Sequence, residues 1–205
     1  MSLPQMFVIS PEELTERDQQ SKEHFRRLGL KASFFNGLYG PDTGLESHYD
    51  DPAKPYSRLP ARRISLMLNH WFLWQHIALS GLPAGIIFED DVVVPTDFTE
   101  KFHDGLSKTP SDWDVIYLGI TYPERLEDCR IRCEKLNDLV WRHHGMNAFD
   151  GTVDGCWAYM LSLQAAKRLA SMRFVMNEPV DRWLTFNALE GMNVYIWHPS
   201  FVKHP

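Results

Sequence analysis

Seven consecutive residues, Gly85-Ile86-Ile87-Phe88-Glu89-Asp90-Asp91, constrain this chain more than any other stretch. An unbroken apolar run needs burial on both faces, as in a central parallel strand. Three acids follow at once. Carboxylates at the carboxyl end of a buried strand repel one another unless a cation is present. Strand alternation puts Glu89 and Asp91 on one face and Asp90 on the other. A hard divalent ion, Mg²⁺ or Mn²⁺, takes one or two such carboxylates and leaves room for phosphate oxygens. The segment equally fits a solvated acidic turn in which Asp90 or Asp91 caps the next helix, and the residues alone leave both open.

Apolar runs alternate with helical patterns on either side of this segment. Strands are expected at Met6 to Ile9, Ala32 to Phe35, Ala84 to Phe88, Val115 to Leu118, Leu139 to Arg142, Cys156 to Leu161 and Val194 to Trp197. Ser10, Pro11 and Glu13 read as a capped helix start, with the helix running to about Leu28 and stopping at Gly29. A long helix is expected over Ala61 to Ser80, with Ile64, Leu68, Trp71 and Ala78 inward and Gly81 as stop. Thr96 and Ser162 are the expected caps of two further helices, and Pro179 opens one that ends at Gly191. Tyr39 to Leu59 reads as a long loop, and Gly119 to Asp150 as mostly irregular. This alternation implies an α/β class, a mostly parallel central sheet flanked by helices, with ligands at the carboxyl ends of its strands.

The 205 residues suit one domain spanning 1–205, and the abrupt stop at Pro205 leaves room for a longer natural chain. With 44% hydrophobic and 23% charged residues, wholesale disorder is excluded. A net charge of −6 argues against a nucleic-acid-gripping protein, although Arg58, Arg62 and Arg63 form one local basic candidate. Three cysteines, Cys129, Cys133 and Cys156, make neither a zinc knuckle nor a disulfide framework, which points to a reducing compartment. The most apolar long stretch, Ile64 to Leu79, carries Asn69, His70, Gln75 and His76 and does not read as a membrane span. Gly-x-Gly-x-x-Gly, Gly-Lys-Ser/Thr, Gly-x-Ser-x-Gly and His-Glu-x-x-His are all absent from the sequence.

Several motifs follow one another in a particular order. Phe7-Val8-Ile9-Ser10, Glu16-Arg17-Asp18 and Phe35-Asn36-Gly37 open the chain. Leu59 to Trp74 comes next, with Leu59, His70 and Trp74 at set spacing and Ser65 between them. The acidic triplet, Asp97-Phe98, and Trp113 to Gly119 follow. Gly151-Thr152 then leads to Ala158-Tyr159 and Ala165-Ala166-Lys167, before Pro179-Val180-Asp181 and Pro199 to His204. In order and spacing these resemble the motifs of the family 25 glycosyltransferases, which include bacterial lipopolysaccharide-type and collagen galactosyltransferases. The resemblance covers about residues 6 to 204. Arg63 stands where the family usually has Glu, and Leu66 where it has Cys.

The resemblance implies a GT-A-like fold and a metal-dependent transfer of galactose or glucose from a UDP-sugar to an acceptor hydroxyl, with inversion. Mn²⁺ (or Mg²⁺) is then expected on Asp91, with Glu89 direct or through water, offsetting charge on the diphosphate leaving group. His204 takes a third ligand position, where the family more often has Gln. Arg17, Asn36, Gly37, His70 and Asp90 are expected on the nucleotide side, and Gly151, Thr152 and Gly155 beside the donor sugar. Inversion requires a base for the acceptor hydroxyl. Asp181, in the first turn of a helix behind Pro179, is the expected one, with Glu178 and Asp154 as reserves.

Each of these residues also has a plainer role. Arg17 fits an exposed helix charge, Asn36-Gly37 a simple turn, Asp181 a helix-start acid and His70 a satisfied core histidine. The expected partners are a UDP-hexose and a glycan or glycoconjugate acceptor, in a cytoplasmic enzyme of surface-glycan or lipopolysaccharide biosynthesis, with room for peripheral contact to an inner membrane. Two other classes stay open: a non-catalytic nucleotide-sugar or glycan-binding module with the same fold, and a metal-dependent nucleotidyl or phosphoryl transferase.

Overall fold

The central strands of this chain are almost wholly apolar because both faces of the sheet are buried there. The computed structural model describes residues 2–40, 60–127, 132–144, 153, 155–173 and 179–204. Four of the expected site residues, Gly151, Thr152, Asp154 and Glu178, lie outside them. The order is β1 (Gln5–Ile9), α1 (Thr15–Arg27), β2 (Ala32–Phe35), α2 (Ala61–Ser80), β3 (Ala84–Glu89), α3 (Phe98–Lys108), β4 (Val115–Tyr117), α4 (Glu124–Glu127), β5 (Cys133–Lys135), β6 (Val140–His143), β7 (Ala158–Ser162), α5 (Leu163–Ser171), α6 (Val180–Trp183) and β8 (Val194–Trp197). Along β1, Phe7 and Ile9 join one buried cluster with Trp74 and Ile77 of α2, while Met6 and Val8 join another with Phe25 of α1 and Phe98 and Phe102 of α3. This is the two-residue alternation of a strand buried on both sides.

The eight strands lie in the order β2-β1-β3-β7-β4-β8-β6-β5. β2, β1, β3, β4, β8 and β5 point one way and β7 and β6 the other. The α/β, helix-flanked sheet expected from the sequence is therefore present, and most of its strands share a direction. Because the two reversed strands sit between the others, only β1–β2, β1–β3 and β4–β8 pair in parallel, and the remaining four pairings are antiparallel. The carboxyl ends of β1, β3, β4 and β8 consequently lie at one end of the sheet.

Local rules account for most element ends. Gly81 closes α2 with φ +65°, a left-handed residue that glycine adopts without strain. The α2 stripe is rotated slightly from expectation: Ile64, Met67, Leu73, Trp74 and Ile77 are buried, whereas Leu68, Trp71 and Ala78 are only half-buried. Gly85 allows this helix to lie close to β3, since a Cβ there would sit 2.5 Å from Ile77 Cδ1. Ser162 caps α5 as expected, its hydroxyl accepting from Ala165 N–H at 3.1 Å.

Other expectations are corrected. Ser10 does not cap α1; its hydroxyl donates to Asp18 Oδ1 at 2.9 Å, and its N–H is held by Phe35 O at 3.0 Å. α1 therefore starts only at Thr15, after a turn whose Glu12 N–H donates to Asn36 Oδ1. Thr96 likewise gives way to Asp97 at the head of α3. The helix opened by Pro179 continues past α6 as a π-helical turn over Leu184–Ala188. β5 was not expected; it exists because β6 supplies a partner edge.

Candidate functional site

β3 stops at Glu89, so strand alternation stops there too. Asp90 and Asp91 lie in the turn that follows, and the expected split of the acids between two faces does not occur. Both carboxylates instead reach one guanidinium: Arg17 Nη2 of α1 donates to Asp90 Oδ1 and, at 2.5 Å, to Asp91 Oδ2. The Asp90 side chain is 7% exposed. Burial pushes its carboxyl up to about 6, against the pull of the Arg17 cation and with help from the Asp91 and Glu89 charges.

The last segment of the chain is pinned beside this turn. Val93 and Lys203 exchange backbone hydrogen bonds of 2.8 and 3.1 Å, which sets His204 Nε2 3.2 Å from Asp91 Oδ2. Asp90 Oδ2 and Asp91 Oδ1 are buried and have no hydrogen-bond partner among the described residues. Two carboxylate oxygens with free lone pairs at a strand end fit a hard divalent cation.

Two cavities flank the turn. One of about 880 Å³ is lined by Arg17, Tyr39, Arg62, Asp90 and Asp91. The other, of about 960 Å³, is lined by Gly155, Cys156, Trp157, Asp181, Arg182 and Lys203. Arg63, Leu66, Glu89 and His204 line both, so Glu89 stands at their junction. The first cavity gathers cations around the acidic pair; the second holds Asp181.

Asp181 is fixed by two backbone donors, Gly155 N–H to Oδ2 at 3.2 Å and Arg182 N–H to Oδ1 at 2.8 Å. Gly155 has φ +94°, and a Cβ there would lie 1.9 Å from the Trp157 ring. Only glycine fits this place without strain, which lets its N–H reach Asp181. β7 then runs antiparallel to β3, bringing Trp157 O to Glu89 N–H at 2.8 Å.

The other expected residues lie further back. His70 is fully buried, its Nδ1 2.9 Å from Tyr159 Oη, and it lines neither cavity. Asn36 spends its side-chain oxygen on Glu12 N–H, and Gly37 packs against Asn69; neither lines either of the two cavities. Glu89 Oε1 lies 3.7 Å from His70 Nε2 and 3.8 Å from Cys156 Sγ. Asn69 and Cys156 support the site without being singled out as site residues by the sequence, and Tyr159 enters only as part of the Ala158-Tyr159 motif of the resemblance, with no role given to its hydroxyl. The available signal was Asn69 and His70 side by side in the apolar stripe of α2, since buried polar groups need partners.

The model of glycosyltransferase family 25 (LPS biosynthesis protein) matches residues 3–184. Procollagen galactosyltransferase 1-A of Xenopus laevis is 25% identical over 201 residues, covering 90% of this chain and 31% of its own length. An inactive glycosyltransferase 25 family member 3 of Mus musculus is 29% identical over 198 residues, covering 90% of this chain and 32% of its own length. The chain thus spans about a third of these curated relatives. Among solved structures, A197 from STIV is similar with a TM-score of 0.49 and 12% identity, over 99% of this chain and 86% of that one. No helix among the described residues is long and apolar enough to cross a membrane. The match over residues 3–184 places this chain in glycosyltransferase family 25.

Proposed function

We propose that this chain is a GT-A-like, metal-dependent hexosyltransferase that moves galactose or glucose from a UDP-sugar to a hydroxyl of a glycan acceptor, with inversion. The observation that carries this is the placement of the acidic turn between two cavities, one rich in cations and one containing Asp181. Arg17, Arg62 and Arg63 suit a diphosphate, which the first cavity would take. The acceptor hydroxyl would enter the second, where Asp181 takes its proton as the acceptor oxygen bonds to C1 and the bond from C1 to the UDP oxygen breaks. Gly155 and Arg182 hold that carboxylate in one orientation through their backbone N–H groups. Mn²⁺ or Mg²⁺, held by Asp91, by Glu89 through water and by His204, would offset the charge growing on the diphosphate.

Calorimetric titration of UDP with Mn²⁺, with EDTA and on Asp91→Ala tests the donor half. Binding is expected only with both metal and Asp91. UDP that fails to bind the folded protein with Mn²⁺ present removes the UDP-sugar basis. A second reading, a nucleotide-sugar-binding module without transfer, is favoured by the mouse relative's description as inactive. Screening UDP-hexoses separates the two: the enzyme releases UDP and loses this on Asp181→Asn while keeping UDP affinity, whereas the module releases none.

A further inference from the structure

Behind the acidic turn, three potential ligand atoms converge on one point. His70 Nε2 and Glu89 Oε1 are 3.7 Å apart, and Cys156 Sγ is 3.8 Å from each. They come from α2, from the end of β3 and from the residues leading into β7. These separations are longer than ordinary nitrogen–oxygen hydrogen bonds, and the thiol contacts are at the long end for sulfur. They are close to the edges of a tetrahedron around an ion bonded at about 2.0–2.3 Å, which measure roughly 3.3–3.8 Å. Among the described residues this is the group of histidine, cysteine and acidic side chains that meets so closely.

We propose that His70, Glu89 and Cys156 form a second divalent-cation site, selective for a soft or borderline ion of the Zn²⁺ or Co²⁺ type and adjacent to the hard-ion site at Asp91 and His204, which Glu89 reaches only through water. One thiolate, one imidazole and one carboxylate suit Zn²⁺, whereas Mg²⁺ and Mn²⁺ prefer oxygen. His70 and Cys156 are buried, but Cys156 and Glu89 both line the larger cavity. An ion can therefore enter from that cavity and keep its fourth position open toward it, as three-ligand zinc sites do. Binding replaces the Cys156 S–H bond with a sulfur–metal bond, and the proton leaves to solvent.

The surroundings are those of a metal ligand. A metal on Nε2 puts the imidazole proton on Nδ1, where Tyr159 Oη is 2.9 Å away to accept it. Trp74 Nε1–H donates to the same oxygen at 2.8 Å, so the phenol is locked and in turn sets the ring plane of His70. A cysteine–histidine–acid relay does not fit. Such a relay needs the acid on the ring nitrogen opposite the thiol, and here Glu89 and Cys156 both face Nε2.

The test is titration of the metal-stripped full chain with Co²⁺, followed by the near-ultraviolet thiolate-to-cobalt absorption. It uses neither nucleotide nor acceptor, so it succeeds or fails independently of the transferase proposal. A band is expected that saturates at one equivalent and is displaced by Zn²⁺. It should survive Asp91→Ala and the double change Cys129→Ser/Cys133→Ser, and vanish in Cys156→Ser. Glu89→Gln and Tyr159→Phe should each weaken apparent affinity by about 10- to 100-fold. A folded wild type that gives no band overturns the proposal without relying on any variant. A band that persists in Cys156→Ser, or is unmoved by both Glu89→Gln and His70→Gln, overturns it as well.

Discussion

Asn69, on the buried face of α2, holds Leu38 by both of its backbone groups: Leu38 N–H donates to Asn69 Oδ1 at 2.7 Å, and Asn69 Nδ2 donates to Leu38 O at 3.1 Å. This pair of hydrogen bonds across 31 positions ties the segment after β2 to the helix beneath the cation-rich cavity. It replaces a strand partner that Leu38 lacks, satisfying a backbone donor and acceptor next to the core.

Asn69→Ala leaves that N–H and C=O without their partner and is expected to destabilise the protein by about 1–3 kcal/mol. Gly37→Ala should act through the same contact, because its Cβ would fall 2.5 Å from the Asn69 amide. Urea denaturation followed by circular dichroism measures both. A midpoint unchanged in Asn69→Ala would show that the clamp contributes nothing.

Asp90 makes stability depend on pH with a definite sign. Its carboxyl titrates near 6 in the fold against an ordinary value of 3.8, so between those values the folded chain holds the proton that the unfolded chain has lost. Its contribution is fully present below about pH 4 and is lost as pH rises through about 6. In EDTA, Asp90→Asn should therefore flatten the fall in stability between pH 4 and 7, by on the order of 1 kcal/mol after screening by solvent. Thermal melts of wild type and variant across that window give the difference, and parallel curves would contradict the assignment.

Gly155→Ala is expected to be among the most damaging single changes. The residue combines φ +94° with a Cβ position only 1.9 Å from Trp157 Cζ3, and its N–H is one of the two donors on Asp181. The strained backbone and the clash together should cost at least about 2 kcal/mol. Denaturant midpoints read the loss; tolerance within about 0.5 kcal/mol would mean that the turn has another conformation available.

Tyr159→Phe removes the oxygen that Trp74 Nε1–H donates to and that meets His70 Nδ1. Ring packing against Tyr117 and His70 is retained, so the loss isolates the hydroxyl. A destabilisation of about 1–3 kcal/mol is expected from the loss of these buried hydrogen bonds. Indole N–H exchange of Trp74, buried and bonded to Tyr159 Oη, is expected to be slow in the wild type and to accelerate in the variant.

Much of the framework was legible because it follows from short-range chemistry. α2 spans Ala61–Ser80 as its periodicity and Gly81 demand, β8 spans Val194–Trp197, and Ser162 caps α5. Errors arose where a distant group outcompeted a local one. Ser10 looked like a cap, yet its hydroxyl goes to Asp18, eight residues on. Glu89, Asp90 and Asp91 looked like an alternating strand end, yet β3 ends at Glu89 and Arg17 draws the two aspartates together from 73 and 74 positions away. β5 has no periodicity of its own and forms only on the edge that β6 offers.

Sequence alone determined that an apolar strand would end in three acids and that the chain would alternate strands and helices around a sheet, because burial and backbone periodicity act over a few residues. It also carried enough ordered motifs to show the family resemblance. Only the tertiary structure decided which way each acid faces. The antiparallel insertion of β7 beside β3 puts Cys156 and Trp157 against Glu89, and the Val93–Lys203 pairing sets His204 beside Asp91. Contacts between residues some 70 to 110 positions apart have no local signature, since they depend on strand order and register rather than on the preferences of neighbouring residues.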